Sequence, residues 1–308
     1  LLLAECHARL GQVDEQLAAS QRLLGGDAGS RPARITAAAA LAAAGKQEKA
    51  LAEYEAIAAE MGPDRVLSQP QVWQPLLRLR TTHQLRLPAS ERDWSLVTRL
   101  IDSLARAEAV PAAQLAVLRY DQLAASGDAD AAAAALARAI EEHPDEPQLW
   151  ERLIISSLRQ KGMGEAMRQW ERIPVSLADD PRMLVLRARL AVRQPAKEAD
   201  PVLQGLESKA ASMAAEQSRS LLAAVAAVRL ARGDHAGAER AWQAILAAAP
   251  DDLQAHFALF ESACEQRDLA KTARLADDIG RLCGPQSANG RAASAASLLL
   301  EVASARSQ

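Results

Sequence analysis

Leu41-Ala-Ala-Ala-Gly45-Lys-Gln-Glu-Lys-Ala50 sets out the plan of this chain in ten residues. An alanine-rich helix ends, a glycine turns the backbone, and a second helix begins with alanine five residues after the glycine. The same plan returns in Ala124-Ala-Ser-Gly127-Asp-Ala-Asp-Ala-Ala132 and in Ala231-Arg-Gly233-Asp-His-Ala-Gly-Ala238. Gly11 and Gly45 lie 34 residues apart, and so do Pro147 and Pro181 in the near copies Asp-Glu-Pro-Gln-Leu-Trp and Asp-Asp-Pro-Arg-Met-Leu. A period of this size marks an array, because one helical hairpin cannot bury its apolar face alone and must stack on its neighbours.

Composition agrees. Alanine and leucine dominate, aromatics are 3%, and no sustained period-two apolar pattern exists to build strands. The formal charge of −3 argues against a nucleic-acid partner. No apolar run reaches the roughly 18 residues of a membrane span; Leu221–Val228 stops at Arg229. Cys6, Cys264 and Cys283 form no CxxC pair and no metal spacing, so they read as thiols. The chain opens on Leu1-Leu-Leu-Ala-Glu-Cys6, already in repeat phase. We therefore expect a piece of a longer polypeptide with targeting information upstream, and cytoplasmic and periplasmic placements both fit.

Eight hairpins are expected, over residues 1–28, 29–63, 64–110, 111–146, 147–180, 181–215, 216–250 and 251–285, with a capping helix in 286–308. The third and sixth are degenerate. In the third, Pro70, Pro75 and Pro88 interrupt. Ser90-x-x-Asp93 reads as a capping-box variant opening a helix over 91–108, with Trp94, Val97, Leu100, Ile101 and Leu104 as its apolar stripe. In the sixth, Asp200 is expected as N-cap with Pro201 in the first turn, and Arg187 falls where an apolar residue belongs. Trp150, Trp170 and Trp242 read as packing residues. Asp179-Asp180 and Asp251-Asp252 read as helix starts. In the final helix, Leu298-Leu-Leu300 suits a cap over the last repeat.

Small, aromatic, apolar and proline positions in this order (Ala50, Tyr54, Ile57, or Gly233, Ala238, Trp242, Ile245, Pro250) resemble the tetratricopeptide repeat of bacterial-type proteins. The resemblance implies an all-α, right-handed α-solenoid. It also implies a non-enzymatic scaffold that binds a protein or peptide segment in a groove lined by the first helix of each hairpin. Carried over by position, that groove includes Gln114 and Asp121, then Gln148, Glu151, Arg152, Ile155 and Arg159, then Arg182, Val185, Arg189 and Arg193, then Gln254, Phe257, Glu261 and Cys264. In the second and seventh hairpins the same positions are nearly all alanine or leucine.

The candidate partner-binding residues are thus Gln148, Arg152, Arg159, Arg182, Arg189 and Arg193, and their arginine forks suit an acidic segment. Glu151, Glu165 and Glu171 are placed to neutralise them. The family's clamp for chaperone carboxylates needs two groove asparagines, whereas this chain has only Asn289. Histidine pairs at metal spacing, phosphate loops and nucleophile motifs are absent, so no cofactor, metal or catalytic residue is expected. Two other settings suit such an array: the arm of a secretion or polysaccharide machine, and the regulatory segment of an enzyme whose catalytic domain lies elsewhere.

Overall fold

The computed structural model describes residues 2–9, 13–26, 30–284 and 287–306. Among these there are eighteen α-helices and no strand. They form an α-solenoid of helical hairpins, divided into two compact units, Leu1–Arg152 and Leu153–Gln308.

The first unit contains α1 (Leu2–Arg9), α2 (Val13–Gly26), α3 (Arg31–Ala43), α4 (Gln47–Met61), α5 (Pro63–Leu67), α6 (Pro70–Arg86), α7 (Ser95–Arg106), α8 (Ala112–Ser126) and α9 (Ala129–Glu142). Each helix packs on its neighbour in sequence, and the first helices of successive hairpins touch: α1 on α3, α3 on α6, α6 on α8. Alanine makes this possible. Ala38 and Ala50 are fully buried, letting α3 and α4 approach, while Tyr54 and Ile57 fill the space toward α6. Between α8 and α9, Gly127 takes the left-handed conformation at φ 95° and closes the first helix, as the repeat requires. The turn expected at Gly11 lies outside the described residues.

The third hairpin differs from its expected form. The added length is α5, a short helix that begins at Pro63 directly after Gly62. Pro70 sits in the first turn of α6, where its missing N–H costs nothing, and α6 runs on through Pro75. A buried face of Val72, Trp73, Leu76 and Leu77 holds α6 in place despite that proline. The capping box does not form. Residues 89–91 make a 3₁₀ turn, and Asp93 instead receives the amide (2.8 Å) and hydroxyl (2.9 Å) of Ser95, so α7 starts four residues later than expected. The predicted stripe is otherwise sound: Val97, Leu100, Ile101 and Leu104 are buried and Trp94 packs against them.

α10 (Pro147–Lys161) carries the chain from the first unit into the second. There α11 (Met163–Glu171), α12 (Pro181–Ala191), α13 (Ala196–Ala210), α14 (Ala215–Ala231), α15 (His235–Ala248), α16 (Leu253–Glu265), α17 (Leu269–Cys283) and α18 (Ala288–Arg306) follow. One core runs from Leu184 to Ala293 and includes Ala199, Leu203, Val225, Trp242, Phe260 and Ile279. Asp180 and Asp252 cap α12 and α16 through their carboxylates, as do Asp128, Asp234 and Asp268 for α9, α15 and α17.

Three further expectations are corrected here. α13 begins at Ala196, not after Asp200, and Pro201 lies inside it. Ala199, Leu203, Leu206 and Ala210 form a continuous buried face that offsets the hydrogen bond the proline removes. Trp170 is only half-buried: the Arg187 guanidinium lies over its ring, 5.4 Å from the centroid, and donates to Met167 Sδ at 3.4 Å. That arrangement explains how a cation occupies an apolar repeat position. α18 packs on α17, with Gly290, Ala293 and Ser297 buried, so Leu298 and Leu299 point to solvent and do not serve as the cap's packing face. The eighth hairpin also turns without glycine, with Arg267 at φ 55°.

Polar ties join the hairpins of the second unit. Arg229, 4% exposed, donates to Glu207 (2.6 and 3.1 Å) from α13 and to Asp234 (2.6 Å), the cap of α15. Arg232 donates to the carbonyls of Ala191 and Gln194, closing the end of α12. Lys271 pairs with Glu239 at 2.5 Å, linking α17 to α15.

Candidate interaction surface

The six candidate residues divide between the units. Gln148 and Arg152 belong to the first; Arg159, Arg182, Arg189 and Arg193 belong to the second. In the first unit, Arg152 is already engaged, since its Nη2 donates to Asp121 Oδ2 at 2.9 Å. Burial raises the Asp121 carboxyl above the usual carboxylate range, and the Arg152 charge pulls it partly back. Asp121 and Gln114 line a cavity of about 330 Å³ between α6, α7 and α8, with Trp73, Leu77 and Leu118 as apolar walls. Both were expected on the groove face.

In the second unit the four arginines are exposed. Arg182, Arg189 and Arg193 follow one another at spacings of seven and four residues, which puts them on one side of α12 and its final turn. Arg182 has a polar partner; among the described residues Arg159, Arg189 and Arg193 have none. Of the carboxylates placed to neutralise them, Glu165 spends both oxygens on Arg168 and Gln169 of its own helix. Glu151 also has a partner.

Arg189 stands at the edge of a trough of about 600 Å³. Val185, Arg189 and Val192 form one wall, from α12 and the residue that ends it. Ser220, Ala223, Ala224 and Ala227 of α14 form the floor, and Arg219 with Gln254 closes the far side. The trough exists because α14 presents methyl groups where its neighbours present longer side chains. The sequence reading placed no candidate residue on the seventh hairpin, whose groove positions are nearly all alanine or leucine. The signal was nonetheless present, as a run of small residues flanked by hairpins with larger ones. Across the trough, Arg219 is committed to Asp252 and reaches Gln254 Oε1 at 3.3 Å, leaving the Gln254 amide hydrogens free.

A larger cavity of about 700 Å³ lies between α13, α14 and α15, and half of its lining residues are alanine. Two of its charged residues are bound up internally: Glu207 with Arg229, and Arg219 with Asp252. Among the described residues no three His, Cys, Asp or Glu side chains converge as metal ligands, and no helix is long and apolar enough to cross a membrane. Cys264 and Cys283 are free thiols, while the Cys6 side chain lies outside the described residues.

The family model for the tetratricopeptide repeat matches residues 123–190, from the end of α8 to α12. No curated protein sequence matches it. Among solved structures, the chain is similar to the APC/C hetero-tetramer Cut9–Hcn1 at 13% identity and a TM-score of 0.42, covering 96% of this chain. It spans 54% of that chain, so about half its length. It is also similar to the TPR domain of P58(IPK), at 14% identity and a TM-score of 0.31, covering 98% of this chain and 97% of that one. A third is the human IFIT1 dimer with m7Gppp-AAAA, at 13% identity and a TM-score of 0.40, covering 97% and 80%.

Proposed function

We propose that this chain is a non-enzymatic interaction module whose second unit receives an acidic protein segment on the face formed by the first helices of its hairpins. The observation that supports this reading is the set of exposed arginines, Arg159, Arg189 and Arg193, without carboxylate partners in a chain of net charge −3. An acidic protein that leaves guanidinium forks unpaired on α10 and along α12 has a local field there opposite to its overall charge, which favours anionic ligands. Arginine forks engage carboxylates by two parallel hydrogen bonds, so such a face selects Asp- and Glu-bearing segments over merely polar ones.

The test is fluorescence anisotropy with a labelled, flexible serine–glutamate peptide. Arg159→Glu combined with Arg189→Glu should weaken binding at least about tenfold and flatten its dependence on salt. Equal affinity and an equal salt slope for wild type and double variant would remove this face from consideration.

A further inference from the structure

We infer that the trough between α12, α14 and α16 binds an extended segment in which an aliphatic side chain lies beside the acidic one, so that the ligand needs both. This rests on the reading above and specifies its ligand.

The charged residues lining the trough are Arg189 and Arg219, with no carboxylate among them. Arg219 is neutralised by Asp252, so one free guanidinium, Arg189, faces the trough. The remaining polar groups there are the Ser220 hydroxyl and the Gln254 amide hydrogens, both able to donate, since Gln254 Oε1 is occupied by Arg219. The site is therefore rich in donors. It matches a ligand rich in acceptors, namely main-chain carbonyls and a carboxylate.

A helical ligand satisfies its own carbonyls and would leave these donors without use, whereas an extended segment offers them outward. The floor is apolar: Ala223, Ala224 and Ala227 lie under the opening, and Val185 and Val192 stand at its side. Val192 is 38% exposed. These surfaces gain by being covered with a leucine, isoleucine or valine side chain. In an extended chain, residues two apart point the same way. A carboxylate at Arg189 thus places the aliphatic group two residues along over the alanine floor.

Two labelled flexible peptides test this: the serine–glutamate peptide, and the same peptide with leucine two residues from a glutamate. Wild type should bind the leucine peptide about tenfold more tightly, and that gain should persist at high salt. Ala227→Leu adds bulk at an exposed position on the floor without altering charge. It should abolish the leucine preference and leave the serine–glutamate peptide unaffected; circular dichroism checks that the variant is folded. Arg189→Gln should weaken both peptides and reduce the salt slope.

Equal binding of the two peptides by wild type overturns the inference while leaving the acidic-segment reading in place. So does a lactam-bridged helical leucine peptide that binds more tightly than the flexible one. Binding of neither peptide overturns both.

Discussion

The indole nitrogen of Trp150 donates to the carbonyl oxygen of Pro144 at 2.7 Å, tying α10 back to the proline that follows α9. His256 repeats the contact in the second unit, its Nε2 lying 2.9 Å from the Pro250 carbonyl, again six residues back. A carbonyl only accepts, so His256 carries its proton on Nε2. Two different residue types thus serve one task, which is to satisfy the carbonyl left open where the chain turns between hairpins.

Trp150→Phe keeps most of the burial and removes the donor. It should lower the stability of the first unit by about 1 kcal/mol, read from the urea midpoint. Trp150→Ala also empties the packing site and should cost about 3–5 kcal/mol. A phenylalanine variant as damaged as the alanine one would show that ring packing is not what the site needs.

Two glycines of the second unit should respond to alanine with opposite signs. At Gly237 an added Cβ would meet the Asp234 carboxylate and come within 2.6 Å of Arg229 Cδ, so the cap and ion pair must yield. Gly237→Ala should cost about 1–3 kcal/mol despite alanine's better helix propensity. At Gly205, inside α13, a Cβ meets no atom within 4 Å, and Gly205→Ala should stabilise by about 0.4–1 kcal/mol. Thermal unfolding of the two variants decides this by direction alone.

Arg187→Leu should raise the melting temperature. The half-buried guanidinium is desolvated, which lowers its pKa, and the ring of Trp170 and the Met167 sulfur are weak compensation. Leucine restores the apolar residue that the repeat places there. A fall in melting temperature would mean that the cation–ring contact outweighs desolvation.

Acid should loosen the α14–α15 junction through Asp234. The Gly237 amide, then the Arg229 guanidinium, hold its carboxyl below the ordinary value of 3.8. A depressed folded-state pKa contributes stability that is complete above the unfolded value and is lost as pH falls through the folded one. Asp234→Asn retains a capping oxygen but cannot titrate. Its stability should therefore fall less than that of wild type between about pH 4 and pH 2, followed by denaturant titration across that range.

Most of the architecture was legible because it is written in spacing. Gly45, Gly127 and Gly233 mark the turns, and Ala50, Ala132 and Ala238 mark the close contacts, independent of anything distant in the chain. The misreadings arise where other contacts outweighed a local pattern, packing in one case and a competing hydrogen bond in another. Pro201 signals a helix start, yet the buried face around Leu203 extends α13 past it. Ser90 and Asp93 fit a capping pattern, but Asp93 caps Ser95 instead. At the candidate surface, the unpaired state of Arg189 and the engagement of Arg152 depend on neighbours that spacing does not reveal. The alanine floor of α14 becomes informative only once the larger residues on either side are in place.

The cluster of Arg229, Glu207 and Asp234 governs how the array can be cut. Modular repeats invite dissection at any hairpin boundary, but this cluster draws Glu207 from α13, Arg229 from α14 and Asp234 from the cap that precedes α15. A truncation that begins at α14 would strip Glu207 from a guanidinium enclosed by protein, leaving the shortened form with a charge only half balanced. The sixth and seventh hairpins therefore behave as one inseparable block. Excision, swapping or transplantation should move them together.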